Sequence, residues 1–108
     1  FLNTNLVDNT PVSLIEAAAA GMVPVAAAVG GIPFLVSDGV DGVLVPPGDP
    51  ASAAVAVLEL VADPGRYARL SAGAVALARR SSWPEGRAAW EQQLGFVDPE
   101  VFDPAGAP

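Results

Sequence analysis

Apolar residues fall along this chain in short uncharged blocks, most of those in the first half ending at Asn, Asp, Gly or Pro. Phe1 to Asn3 reads as the end of a strand and Thr4 to Thr10 as a polar loop. Thr10 offers an N-cap, with Pro11 at the first helical position, where its missing N–H does no harm. Ser13 and Glu16 also fit a capping box, so the helix start is open by about three residues. The helix continues through Ile15 and the Ala17 to Ala20 block and stops at Gly21 as its C′ residue. Pro24 to Val29 is an all-apolar strand of the kind buried on both faces of a parallel sheet. Gly30 to Pro33 follows as a loop and Phe34 to Val36 as a short turn, then Asp38-Gly39 and Asp41-Gly42 as turn signals. Val43 to Val45 is the next strand, stopped by Pro46-Pro47-Gly48.

The second half is helical. Asp49 caps a helix with Pro50 at its first position, running to about Ala62. Asp63-Pro64 repeats the device for a helix ending near Arg80, and a third helix runs over roughly Pro84 to Leu94. Residues 95–108 are set apart as a loose tail, since Val97 to Pro108 holds three Pro and three acidic residues. Strand, helix, strand, loop, strand and then helices is an α/β pattern with a parallel sheet. Three strands fit the second part of a Rossmann-like domain better than a whole one, so residues 1–94 are read as a partial domain.

Composition narrows the chemistry. Of 108 residues, 52% are hydrophobic and 16% charged, which predicts a buried core and not disorder. The net charge of −7 argues against nucleic acid as a partner, because a basic footprint is needed to neutralise phosphates. It also argues against direct contact with an anionic membrane surface. With no Cys and no His, disulfides, thiolate metal sites and Ser-His or Cys-His nucleophiles are excluded within this sequence. Neither a metal nor another cofactor is expected. Ala17 to Val36 is uncharged for long enough to span a bilayer, but Gly21, Pro24, Gly30, Gly31 and Pro33 would break such a helix repeatedly. The N-terminus has no basic segment of the kind that opens a signal peptide.

The chemistry concentrates at Asp8-Asn9-Thr10-Pro11-Val12-Ser13-Leu14-Ile15-Glu16. A loop there enters a helix whose free N–H groups and positive dipole end suit a phosphate. Glu16 lies one to two turns in and leans back toward that end, within reach of a ribose hydroxyl, while Asp8 on the loop suits sugar hydroxyls. Gly30 and Gly31 permit positive φ and close backbone approach to a ligand beyond a strand's carboxyl end. A plainer reading stays open: Asp8 and Asn9 as turn residues, Glu16 as an exposed helix charge, the glycines as a tight turn. Trp83 and Trp90, at i, i+7, are expected in core or interdomain packing. Arg66, Arg69, Arg79 and Arg80 are expected on the solvated face or last turn of their helix.

The motifs in series point further. Asp8 to Glu16 resembles the Glu-x7-Glu signature of retaining glycosyltransferases of the GT-B fold, family-four type, with Asp in the first position. Glu16 to Val25 resembles that family's Glu-Ala-Met-Ala-x-Gly-x-Pro-Val run, and Val29-Gly30-Gly31-Ile32-Pro33 its Val-Gly-Gly-Ile-Pro loop. Asp38 to Pro50 resembles its Asp-Gly-x-x-Gly-x-Leu-Val-Pro-Pro-Gly-Asp-Pro segment. The resemblance covers about residues 1–94. It implies the C-terminal part of a nucleotide-sugar-binding domain, moving a sugar from a nucleotide-diphosphate donor to an acceptor hydroxyl with retention. It also implies that Asp8 touches the transferred sugar, that Glu16 holds the ribose, and that Asn9, Thr10, Pro11, Val12, Ser13, Gly30 and Gly31 line the donor. No protein nucleophile is implied, and the acceptor would be held by an N-terminal domain outside this sequence. A cytoplasmic location is expected, with any membrane contact made through that domain.

Two departures stand out. Asp8 is one methylene shorter than Glu, and Phe34 stands where many relatives carry Glu. A non-catalytic remnant or nucleotide-binding module that keeps the fold is the rival reading. An unrelated dinucleotide-binding half-domain is disfavoured by the lack of Gly-x-Gly-x-x-Gly after a strand.

Overall fold

Three short strands lie side by side in the order β1 (Leu2–Asn3), β2 (Val25–Ala27), β3 (Val43–Val45), all parallel. Leu2 stands opposite Val25, and Val25 in turn opposite Val43. The structure, a computed structural model, describes residues 1–94, and the expected tail at 95–108 lies outside the described residues. Five helices complete the order: α1 (Val12–Ala19), α2 (Ile32–Leu35), α3 (Pro50–Ala62), α4 (Pro64–Arg80) and α5 (Trp83–Leu94).

β2 and β3 are uncharged because both of their faces are covered, as the apolar runs predict. Alternation sends Val25, Val43 and Val45 to one face, where Ala53, Ala56 and Leu60 of α3 meet them. Ala26 goes to the other face, packed with Leu14 and Ala18 of α1, Ile32 of α2, and Ala74 and Leu77 of α4. The α/β class with a partial parallel sheet is therefore as expected. No helix among the described residues is long and apolar enough to cross a membrane. Ala17 to Val36 is divided among α1, β2 and α2.

Several boundaries differ from expectation, each for a local reason. Thr10 does not cap α1; Pro11 occupies the N-cap position, and no side chain caps the helix. The Thr10 hydroxyl instead faces the backbone at Gly31, 3.5 Å from where a β-carbon there would sit. The Ser13–Glu16 capping box does not form either, since both residues lie inside α1. Gly21 closes α1 with φ +82°, as predicted. The expected loop and turn around Pro33 are a helical turn, α2, in which Val36 N–H donates to the Ile32 carbonyl at 2.9 Å. Pro33 sits at its first turn, where no intrahelical N–H is needed, and fully buried Ile32 seats it.

Asp49 and Asp63 cap α3 and α4 as read, accepting from Ser52 N–H and Arg66 N–H at 3.0 Å each. The tryptophans are not core residues of this chain. Trp83 and Trp90 are 74% and 64% exposed, and α5 buries no residue. Arg80 is not merely solvated: its Nη2 reaches Oδ2 of buried Asp41 at 3.0 Å.

Candidate functional site

The carboxyl ends of parallel strands are where an open α/β sheet gathers its ligand contacts. Here the loop after β1 and the loop after β2 meet at that end. Gly30 has φ +55°, and a β-carbon on it would overlap the Asp8 carbonyl oxygen. A β-carbon on Gly31 would overlap the Asn9 carbonyl oxygen and lie 3.0 Å from the Asn9 carbonyl carbon. The two glycines serve different ends. Gly30 supplies a left-handed turn and close approach, whereas Gly31, with φ −80°, supplies close approach alone. Asp8, Asn9, Thr10, Gly30 and Gly31 are thereby brought into one cluster.

Asp8 is held by three donors. Its Oδ2 accepts from Asn5 Nδ2 at 2.9 Å and Asn3 Nδ2 at 3.3 Å, and its Oδ1 accepts from Asn9 N–H at 2.8 Å. Chiefly the Asn5 amide, then that of Asn3, holds the carboxyl below the usual aspartate range. A carboxylate has about four lone-pair sites, so one remains for a further donor. Asn3 is buried and also fixes the loop, its Oδ1 accepting from Asn5 N–H at 3.0 Å. The sequence reading missed Asn3 and Asn5. The signal was present in the Asn-x-Asn spacing, since short amides hydrogen-bond nearby side chains and backbone at turns.

The helix that follows presents a polar and small-residue face. Leu14, Ala17 and Ala18 of α1 are buried, while Val12, Ser13, Glu16, Ala19 and Ala20 form the exposed side. Glu16 thus shares a helix face with Val12 and Ser13, whose N–H groups belong to the unsatisfied first turn. Pro11 precedes them and accepts from Leu14 N–H at 3.1 Å. The atoms nearest the β positions of Gly30 and Gly31 belong to Asp8, Asn9 and Thr10. Phe34 on α2 is 94% exposed, and Leu6, Val7 and Val12 are also exposed near the same loops.

A hollow of about 190 Å³ opens at the same sheet end on the α3 side. Thr4, Ala27, Val45, Gly48 and Asp49 contribute to its wall. The Asp49 carboxyl is held below its usual range by the Ser52 hydroxyl first and then its N–H. Sequence reasoning took Asp49 as a helix cap only and did not foresee the hollow, which depends on where three strand ends and α3 come together. Among the described residues no three His, Cys, Asp or Glu side chains gather as a metal-binding group.

Comparison with known proteins adds a second line of observation. Residues 1–63 match the family model described as Glycosyl transferases group 1. A protein named D-inositol 3-phosphate glycosyltransferase from Xylanimonas cellulosilytica is 53% identical over 74 residues, 68% of this chain and 18% of that protein. One of the same name from Streptomyces bingchenggensis is 47% identical over 75 residues, 69% of this chain and 16% of that protein. Sucrose-phosphate synthase from Thermosynechococcus elongatus superposes with a TM-score of 0.74 at 30% identity, over 85% of this chain and 23% of that one. Anabaena Alr3699/HepE, solved in complex with UDP, gives 0.72 at 25% identity, over 86% and 26%. The chain therefore spans less than a third of each of these proteins.

Proposed function

This chain belongs to the glycosyl transferases group 1 family, and from that premise we propose that it forms part of the nucleotide-sugar donor site of a glycosyltransferase acting with retention. The observation that carries this reading is the contact of the Asp8–Thr10 loop with the Gly30–Gly31 backbone at the carboxyl end of the sheet. That contact leaves a surface of backbone and short polar groups beside the free first turn of α1. Such a surface accepts a diphosphate by N–H donation, with the helix dipole favouring its charge. Glu16 on the exposed face of α1 is the proposed acceptor for the ribose hydroxyls. Asp8, oriented by Asn3 and Asn5, has its remaining acceptor site for the sugar. A UDP complex of the similar Alr3699/HepE supports a nucleoside diphosphate as the donor's leaving part.

In this reading the protein groups position and stabilise the donor, and the departing diphosphate takes the acceptor's proton on the same face. Positioning of that kind supplies much of the rate. The test is Glu16→Gln in a full-length transferase containing this chain, with UDP and UDP-glucose titrated calorimetrically. Loss of a charged acceptor typically costs about 1.5–3 kcal/mol, so affinity should fall roughly 10- to 150-fold. Unchanged affinity would return Glu16 to the role of a surface charge. NMR of the product anomer decides retention separately.

A further inference from the structure

Most aspartates of this chain have a plain structural use. Asp49 and Asp63 cap α3 and α4, each accepting from an N–H of its own helix. Asp38 and Asp41 tie down their own turn, accepting from Leu44 N–H and Ser37 N–H. Asp8 differs from all four. It caps no helix, since Pro11 occupies the N-cap position of α1 and no side chain bonds there. Two of its three donors are the side-chain amides of Asn3 and Asn5. Among the described residues no other carboxylate accepts from an amide side chain.

Those amides stand on a firm base. Asn3 is buried in β1, paired with Ala26 of β2. Its amide is engaged at both ends: Nδ2 donates to Asp8 Oδ2 at 3.3 Å, and Oδ1 accepts from Asn5 N–H at 3.0 Å. Turned over, the same amide would set oxygen against carboxylate and N–H against N–H, so the network fixes its orientation. Asn5 Nδ2 adds a shorter bond to the same Asp8 oxygen, at 2.9 Å.

Counting acceptor positions shows what Asp8 can read. A carboxylate oxygen offers about two lone-pair positions. Both on Oδ2 are filled by the amides, and Asn9 N–H fills one on Oδ1 at 2.8 Å. A carboxylate with two free oxygens can accept from two adjacent sugar hydroxyls at once. Asp8 has one position left, held in place from the sheet. On the donor-site reading, from which this inference follows, we propose that Asn3 and Asn5 are positioning residues that set sugar specificity: by filling Asp8 Oδ2 they make the carboxylate read one hydroxyl of the transferred sugar and not a neighbouring pair. The donor class that fits is a nucleotide sugar whose hydroxyl beside the one read can be absent or inverted without loss at Asp8.

The test uses a full-length transferase containing this chain. UDP, UDP-glucose and forms of UDP-glucose that each lack one sugar hydroxyl are titrated calorimetrically into the parent, Asp8→Ala, Asn5→Ala and Asn3→Ala. In the parent, the absence of one particular hydroxyl should weaken binding by about 10- to 150-fold, a loss that disappears in Asp8→Ala. Neighbouring hydroxyls should matter equally in the parent and in Asp8→Ala. Asn5→Ala replaces an exposed side chain and opens a position on Oδ2. The same loss should then extend to an adjacent hydroxyl, with UDP bound as in the parent, and Asn3→Ala serves as the second variant. A pair of adjacent hydroxyls already read through Asp8 in the parent overturns the proposal and leaves the donor reading standing. So does a pattern that Asn5→Ala leaves unchanged, or an Asn5→Ala variant that weakens UDP as much as UDP-glucose, which would make the amides braces of the loop alone. A parent that binds neither UDP nor UDP-glucose, or binds UDP-glucose no better than Asp8→Ala does, overturns the donor role of Asp8 and this proposal together.

Discussion

The Asp8 carbonyl oxygen lies where a β-carbon on Gly30 would have to sit, and Gly30 holds φ at +55°. Two loops from different strands are thus locked together by backbone alone. Gly48 offers the contrast, with φ +71° but nothing within 4 Å of its β position. Left-handed backbone costs a non-glycine residue about 1–2 kcal/mol, and overpacking typically adds about 1–3. Gly30→Ala should therefore cost about 2–5 kcal/mol in urea unfolding and Gly48→Ala about 1–2. Equal losses would mean that the loop contact gives way freely.

Asp41 predicts a second effect. Its side chain is 2% exposed, accepting from Ser37 N–H at 2.7 Å and from Arg80 at 3.0 Å, whereas the Arg80 side chain is 63% exposed. Solvent on the arginine side weakens the ion pair, so Arg80→Met should cost about 1–2 kcal/mol. Asp41→Ala also strands the Ser37 N–H and opens a void, at about 2–4 kcal/mol. A double-mutant cycle should return a coupling of about 0.5–1.5 kcal/mol, and a value near zero would make the pair incidental.

Acid stability follows from the two held carboxyls. Asp8 and Asp49 have folded-state pKa values below the ordinary 3.8, set chiefly by Asn5 and by Ser52. A depressed pKa contributes stability that is full above the ordinary value and is lost as pH falls through the folded value. Melting temperature should therefore drop as pH falls from about 4 downward. The drop should be smaller in Asp8→Asn/Asp49→Asn than in the parent chain. Parallel curves would show that other groups govern acid unfolding.

On the proposed donor-site reading, transfer needs an acceptor placed against the donor by residues outside this chain. The isolated chain should show no transfer from a panel of nucleotide sugars and at most weak UDP affinity, because positioning supplies much of the barrier reduction. Turnover by a monomer would overturn the assignment of acceptor binding to residues outside this chain.

The glycine-loop contact was legible at the level of motif and not of geometry. Asp8 to Thr10 and Gly30-Gly31 were each marked by their residue types and by the resemblance, but with one reason for both glycines, whereas only Gly30 uses positive φ. Thr10 was misread for a related cause. A Thr before a Pro and an apolar run fits an N-cap locally, and only the neighbouring loop decides that its hydroxyl turns to Gly31 instead. Of the two placements expected for the tryptophans, only the core is decided against: among the described residues α5 buries none, and Trp83 and Trp90 are exposed.

What the sequence determined by itself is what local physics controls. The uncharged run Pro24 to Val29 holds the shorter strand Val25–Ala27, and Val43–Val45 is a strand as read, both buried and parallel. Asp-Pro pairs started α3 and α4 where they begin, because a capping carboxylate and a fixed φ act within one turn. Contacts between distant segments were decided by the tertiary structure. Asp41 lies thirty-nine positions from Arg80, and Gly30 lies far along the chain from the Asp8 carbonyl it meets. The hollow lined by Thr4, Ala27, Val45 and Asp49 exists only because the sheet order brings three strand ends together beside α3. Spacing along a chain fixes which residues share a helix or strand face; which faces then meet depends on packing the whole sheet between two layers of helix.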